Sequence, residues 1–184
     1  MKRETPQEEA QIRAAQAGDA RAFEQLLQVH YDRLYRFACT WSGNPEDAQD
    51  ITQQACIKLA HSLQQFRFDC AFTTWLYRVV VTCALDWQRR EQRHNHDDDT
   101  ALEHHSSHDA PDAGIYLQQI LGRLESWGEG FKSTLLLVFG EGLSHAETAQ
   151  VLDVKESTIS WRIHQIRQKL NLLECREGES HARR

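Results

Sequence analysis

The residues here that could do covalent or metal chemistry stand in few arrangements that would use them. Five histidines, His94, His96, His104, His105 and His108, crowd into residues 94–112 with six acidic residues and no Lys or Arg. Imidazole beside carboxylate is the donor set that zinc or nickel takes. The spacing is irregular, and Ser106, Ser107, Pro111 and Gly114 break any helical pattern, so nothing rigid would hold a ligand set. A solvated acidic linker accounts for the same residues. No metal site and no cofactor is expected. The cysteines Cys39, Cys56, Cys70, Cys83 and Cys175 form no CxxC pair, and four of them sit in helical, largely apolar stretches. Buried free thiols in a reducing cytoplasm follow. No nucleophile–base pair, phosphate-binding glycine loop or carboxylate dyad emerges, so the chain is not expected to be an enzyme.

Two stretches carry binding chemistry instead. From Phe66 to Arg90, aromatic and basic residues interleave: Phe66, Arg67, Phe68, Phe72, Trp75, Tyr77, Arg78, Trp87, Arg89 and Arg90. Aromatic platforms beside cations hold single-stranded nucleic acid. The alternative is that Phe72, Trp75, Leu76 and Val79 are helix core; Arg78, Arg89, Arg90 and Arg93 still leave one end basic. The second stretch, Ser144 to Leu170, reads as two helices joined by a tight turn. Ser144 and Glu147 have capping-box spacing. Ala146, Ala149, Val151 and Leu152 make a small apolar face. A second helix begins near Lys155–Ser157, and Ile159, Ile163, Ile166 and Leu170 form one stripe along it. Ser160, Trp161, His164 and Arg167 lie opposite, with Arg162 and Gln165 at the edges. This suits a helix-turn-helix whose second helix enters a major groove. An ordinary helical hairpin with a polar surface satisfies the same pattern.

These stretches need helices to position them. Hydrophobic residues are 40% of the 184, prolines number three, and no strand-like alternation stands out, so the fold class is all-α. Thr5 and Glu8, with Pro6 between them, open a short helix that should stop at Gly18. Asp19 caps a second, with Phe23, Leu26, Leu27, Leu34, Phe37, Ala38 and Trp41 on one face, ending at Gly43. Asn44-Pro45-Glu46-Asp47 is a strong helix start. Ala48, Ile51, Ala55, Leu59 and Leu63 form the core stripe of that helix, and Asp47, Asp50, Gln53, Gln54 and Lys58 lie off it. A second domain starts near Ile115. Its first helix runs to Trp127, and its next from Phe131 to Phe139. The expected organisation is a domain over 1–92, a flexible acidic His-rich linker over 93–113, a domain over 114–175 and a polar, frayed tail over 176–184. The net charge of −6 argues against a free-standing protein held on DNA by bulk charge; a reader delivered by a larger partner fits better. The N-terminus lacks a signal-peptide core, and the longest apolar run, Leu135–Phe139, cannot span a bilayer, so a cytoplasmic location without membrane insertion is expected.

Together these motifs resemble the extracytoplasmic-function sigma factors, the small two-domain sigma subunits of bacterial RNA polymerase. Gly18-Asp19, Ala22-Phe23, Tyr31 and Arg33-Leu34-Tyr35 are similar to the opening of the family's domain 2. Pro45 to Ile51, with Gln53, is similar to the segment that grips the clamp helices of the polymerase β′ subunit. Phe72 to Arg78, Ala84-Leu85-Asp86 and Arg89-Arg90 are similar to the segment that melts and reads the −10 element. Gly142-Leu143-Ser144, Glu147, Ala149, Leu152, Val154, Thr158-Ile159, Arg162, His164 and Arg167 are similar to domain 4, the −35 reader.

The resemblance implies a promoter-specificity subunit that performs no covalent chemistry. Asp47, Asp50, Gln53 and Gln54 would dock on β′, and domain 4 on the β flap. Trp75, Tyr77, Arg78, Thr82, Asp86, Arg89 and Arg90 would serve the −10 element. Thr158, Ser160, Trp161, Arg162, His164, Gln165 and Arg167 would serve the −35 element, with Thr158, Arg162 and Arg167 on phosphates. An anti-sigma factor, often membrane-bound in the family, would hold the protein inactive. The sequence departs from the family at Gln54, usually an acid, at Val81 and Thr82, and at Ser160, Trp161 and Gln165, places often held by Lys or Arg, Ser, and Arg. These last three imply an unusual −35 sequence. The rival reading is a conventional dimeric helix-turn-helix regulator, which leaves the Thr73–Arg90 pattern without a reason.

Overall fold

The computed structural model describes residues 4–97 and 112–181, and among them every regular element is helical. The chain divides into two compact units, Met1–Ile120 and Leu121–Arg184. The boundary falls inside a helix, Asp112–Ser126, and each unit is built around its own buried residues.

In the first unit, α1 (Pro6–Gln16) opens on the expected capping box: Thr5 N–H donates to the Glu8 carboxylate at 2.8 Å, and Glu8 N–H returns a bond to the Thr5 hydroxyl. α2 (Ala20–Ser42) is capped by Asp19 and ends on Gly43, whose φ of 73° is left-handed and suits glycine. α3 (Pro45–Ser62) begins where Asn44 accepts from Glu46 N–H, and one further turn carries the chain to Gln65. α4 (Phe72–Asp97) is the longest helix of this unit. α1 packs on α2, α2 on α3, and both α2 and α3 on α4.

Leu34, Phe37, Trp41, Ala48, Ile51, Ala55, Leu59, Leu76, Val80 and Ala84 fill the space between them. The expected stripes of α2 and α3 are there, with two polar additions. His30 and Thr52 are also buried, Thr52 donating to the Ala48 carbonyl at 2.7 Å. Such a bond lets a hydroxyl sit inside a helical core at low cost.

α5 (Asp112–Ser126) carries the boundary, and its part in the second unit contributes buried Leu121 and Leu124. Gly114, expected to break a helix, lies inside α5. A lone glycine costs about 1 kcal/mol in a helix and does not end one. α6 (Phe131–Leu135) passes into a wider turn over Leu136–Gly140, where Glu141 N–H reaches the Leu136 carbonyl at 3.0 Å. The uninterrupted helix expected over Phe131–Phe139 is therefore two pieces, and Phe139 is turned out to solvent. Lys132 is buried and paired with Glu125.

α7 (His145–Leu152) and α8 (Glu156–His181) follow, packed on each other, with Asp153 left-handed in the turn between them. Thr148 takes the buried place assigned above to Ala146, which is exposed. α8 continues to His181, so the frayed tail expected from Cys175 is helical that far.

Candidate functional site

Three surfaces carry the residues singled out above. The first is α3. Its inner side is closed by Ala48, Ile51, Ala55 and Leu59, none more than 2% exposed. Asp50, Gln53, Gln54 and Lys58 are exposed on the outer side, and Asp47 is half-buried. Ile57, 52% exposed, adds an apolar side chain to this polar surface, which suits a protein partner.

The second is α4. Arg78, Thr82, Asp86, Arg89/Arg90 and Arg93 succeed one another at helical spacing, and Trp75 precedes them by one turn. The structure brings these together on one stripe. Arg78, Asp86, Arg89, Arg90 and Arg93 are exposed; Trp75 and Thr82 are half-buried. Several polar side chains lie back along the helix. Thr82 donates to the Arg78 carbonyl at 2.7 Å, Arg90 Nε to the Asp86 carbonyl at 3.3 Å, and Arg93 Nε to the Arg89 carbonyl at 3.1 Å. Arg89 pairs with Asp86 at 3.4 Å, an exposed contact of small energetic worth.

Tyr77 is a correction. It is 3% exposed and packs against Phe37 with centroids 5.9 Å apart, so its ring belongs to the core and not to a surface platform. The reason is period. Tyr77 falls on the inward side with Val80 and Ala84, out of phase with Arg78. Trp75 is intermediate between the two roles: it joins Phe66 and Phe72 in an aromatic cluster at 5.4 and 5.7 Å while keeping part of its surface.

The segment between α3 and α4 is tied down by α1, which the sequence did not signal. Gln16 Nε2 donates to the carbonyls of Leu63 and Phe66 at 3.0 and 2.8 Å. Arg13 lies 4.4 Å over the Phe68 ring, and the Glu4 carboxylate accepts from Phe72 N–H at the start of α4. Only the tertiary arrangement could place these partners, because they stand between 47 and 68 residues apart in the chain.

The third surface is α8 with the start of α7. Ser144 and Glu147 form the full capping box, and the bonds from Ser144 hold the Glu147 carboxyl below its ordinary pKa. Ile159, Ile163 and Ile166 are buried and Leu170 half-buried, as the stripe requires. Ser160, Trp161, His164 and Arg167 are exposed together, with Thr158 and Gln165 half-buried beside them. Trp161, 54% exposed, leans on Phe131 at 5.7 Å. Arg167 stands 5.9 Å over the exposed ring of Phe139.

Arg162, expected on a phosphate, is less exposed than its neighbours Trp161 and His164. It is half-buried and lies on Gly130, where an added Cβ would fall 2.5 Å from the guanidinium carbon. Burial lowers its pKa, opposed by Glu129. His145, passed over in the sequence, brings its Nδ1 to 3.0 Å from the Ser160 hydroxyl.

Among the described residues no group of three or more His, Cys, Asp or Glu comes together as a metal-ligand set, and no helix is long and apolar enough to cross a membrane. The acidic stretch with His104, His105 and His108 lies outside the described residues, as do the side chains of His94, His96 and Cys175.

Residues 26–94 match the family model of Sigma-70 region 2, and residues 132–170 that of Sigma-70, region 4. These segments contain the three surfaces. The chain is 34% identical over 157 residues to the ECF RNA polymerase sigma factor SigE of Mycolicibacterium smegmatis, covering 81% of this chain and 60% of that protein. It is 33% identical over 164 residues to the ECF RNA polymerase sigma factor SigM of Mycobacterium tuberculosis, covering 88% and 82%. The solved structure of CnrH in complex with the cytosolic domain of CnrY aligns with a TM-score of 0.66 over 89% of this chain and 94% of that one; at 24% identity the likeness is one of fold. With both sigma regions present in order and a relative of this similarity matched over most of its length, the chain belongs to the ECF sigma factors, the subunits that direct bacterial RNA polymerase to its promoters.

Proposed function

We propose that the three surfaces divide the work of promoter recognition. The outer side of α3, through Asp47, Asp50, Gln53 and Gln54, docks on the clamp helices of the polymerase β′ subunit. The stripe on α4 holds the −10 strand. Arg78, Arg89 and Arg90 lie near phosphates, and the exposed part of Trp75 lies near an unstacked base. α8 enters the −35 major groove with Ser160, Trp161, His164 and Gln165, while Thr158 and Arg167 set register on the backbone. The β flap receives the second unit. The functional halves are 1–92 and 114–175, with 93–113 as the linker. The protein acts by binding, without a covalent step, in the cytoplasm.

The observation that carries this reading is the two-sided character of α3. Its inner side is closed by core residues, while Asp50, Gln53, Gln54 and Ile57 are exposed on its outer side. Gel filtration with bacterial core RNA polymerase tests it. The wild type is expected to co-elute with core, and Asp50→Arg to lose that co-elution while keeping its helicity. Retained co-elution of Asp50→Arg would move the docking face elsewhere.

Control by an anti-sigma factor belongs to the same proposal. CnrH was solved with the cytosolic domain of CnrY, and RpoE of Bartonella quintana with the anti-sigma factor NepR. An inhibitor of this kind would act by covering the docking faces.

A further inference from the structure

We infer that His145 is a positioning residue for promoter recognition: it holds the Ser160 hydroxyl, and the two side chains read one base edge as a unit. The inference rests on the reading of α8 as the groove-entering helix.

A serine on a recognition helix is an ambiguous reader. Its hydroxyl rotates freely and serves as donor or acceptor, so unaided it discriminates weakly between bases. Here the rotor has a partner. His145 Nδ1 stands 3.0 Å from Ser160 Oγ, across the turn between α7 and α8. With Nδ1 as the acceptor, the hydroxyl spends its one O–H on the imidazole and presents only lone pairs outward, so its rotation is fixed before it meets DNA.

The anchor under the imidazole is stiff. His145 is the first residue of α7, and the helix start is held by Ser144 N–H to Glu147 Oε2 at 2.9 Å, by the Ser144 hydroxyl to the same oxygen at 2.6 Å, and by Glu147 N–H to the Ser144 hydroxyl at 3.2 Å. The backs of both helices are packed, through Thr148, Ala149 and Val151 on one and Ile159 and Ile163 on the other. Ser160 itself is exposed, flanked by exposed Trp161 and His164. The pair therefore joins two rigid elements at the surface that would face the groove.

The test uses the full chain bound to bacterial core RNA polymerase and a promoter library randomised over the −35 element. Ser160→Ala is expected to weaken the preference at one base pair by about fivefold, the worth of one ordinary hydrogen bond. His145→Ala is expected to weaken the same base pair by a similar factor, and the double variant no further than either single one. His145→Asn, which keeps a hydrogen-bonding atom near the δ position, is expected to retain most of the preference. Circular dichroism of each variant guards against loss of the helices.

Additive losses, or losses at different base pairs, would overturn the pairing. If Trp161→Ala and His164→Ala shift the −35 preference and His145→Ala does not, the inference fails while the reading of α8 stands. If none of the four alanine variants shifts it, both fall.

Discussion

At the scale of single residues, neighbours in sequence have opposite fates here, and side-chain type alone does not reveal which. Arg78 is exposed on the outer stripe of α4, while Tyr77 beside it fills the core against Phe37. His30 shows the same point with a thermodynamic consequence. It is 8% exposed, meets Phe72 edge-on at 5.4 Å, and lines an apolar cavity with Phe23, Leu26, Leu59 and Leu76. Burial lowers its pKa; Arg33 acts in the same direction and Glu8 opposes.

The folded value therefore lies below the ordinary 6.5 of the unfolded chain. In the window between them the unfolded chain holds a proton that the folded chain does not. Stability is full above that window and falls as the pH drops below about 6.5. The urea midpoint of the wild type is expected to fall between about pH 7.5 and about pH 5.5. His30→Leu should flatten that dependence. An equal slope in the two proteins would show that other groups govern the acid response.

At the scale of elements, α1 serves as a brace. It lies N-terminal to the stretch matched by the region 2 model, yet Gln16, Arg13 and Glu4 together hold the segment between α3 and α4. Phe68 in that segment has a φ of 61°, a left-handed conformation unusual for an aromatic residue, and Arg13 covers its ring. Gln16→Ala would leave two partly buried carbonyls without this donor, and is expected to cost about 1–3 kcal/mol in urea unfolding. Gln16→Glu, which keeps the shape but has no N–H, should cost at least as much. A loss under a few tenths would mean that water replaces the glutamine.

The helix starts were legible beforehand for a local reason. Thr5, Asp19, Asn44 and Ser144 cap groups within three residues of themselves, so their chemistry can be read from the sequence. The wide turn at Leu136–Gly140 was not legible. Leu136 and Leu137 are good helix formers and are buried, so their periodicity does not mark where the pattern gives way to the bond from Glu141 N–H to the Leu136 carbonyl.

At the scale of the molecule, charge decides how the protein can find DNA. A net charge of −6 gives no general attraction to a polyanion, and the 21 Lys and Arg are spread along the chain, with Arg78, Arg89, Arg90 and Arg93 on α4 and Arg162, Arg167 and Lys169 on α8. The protein alone is therefore expected to give no specific mobility shift with promoter duplex at about 0.15 M salt, and to give one when core RNA polymerase is present. A specific shift from the protein alone, running as a dimer, would restore the conventional regulator as the better reading.

What the sequence determined by itself was the all-helical class, the positions of the helix starts, the core stripes of α2, α3 and α8, and the family, because these rest on local periodicity and on motifs read along one strand of text. Tertiary structure alone decided that Tyr77 turns into the core, that Arg162 packs over Gly130, that Gln16 reaches the backbone between α3 and α4, and that His145 meets Ser160. Each of these depends on which residues distant in sequence come within hydrogen-bonding or van der Waals reach, and periodicity along the chain carries no information about that.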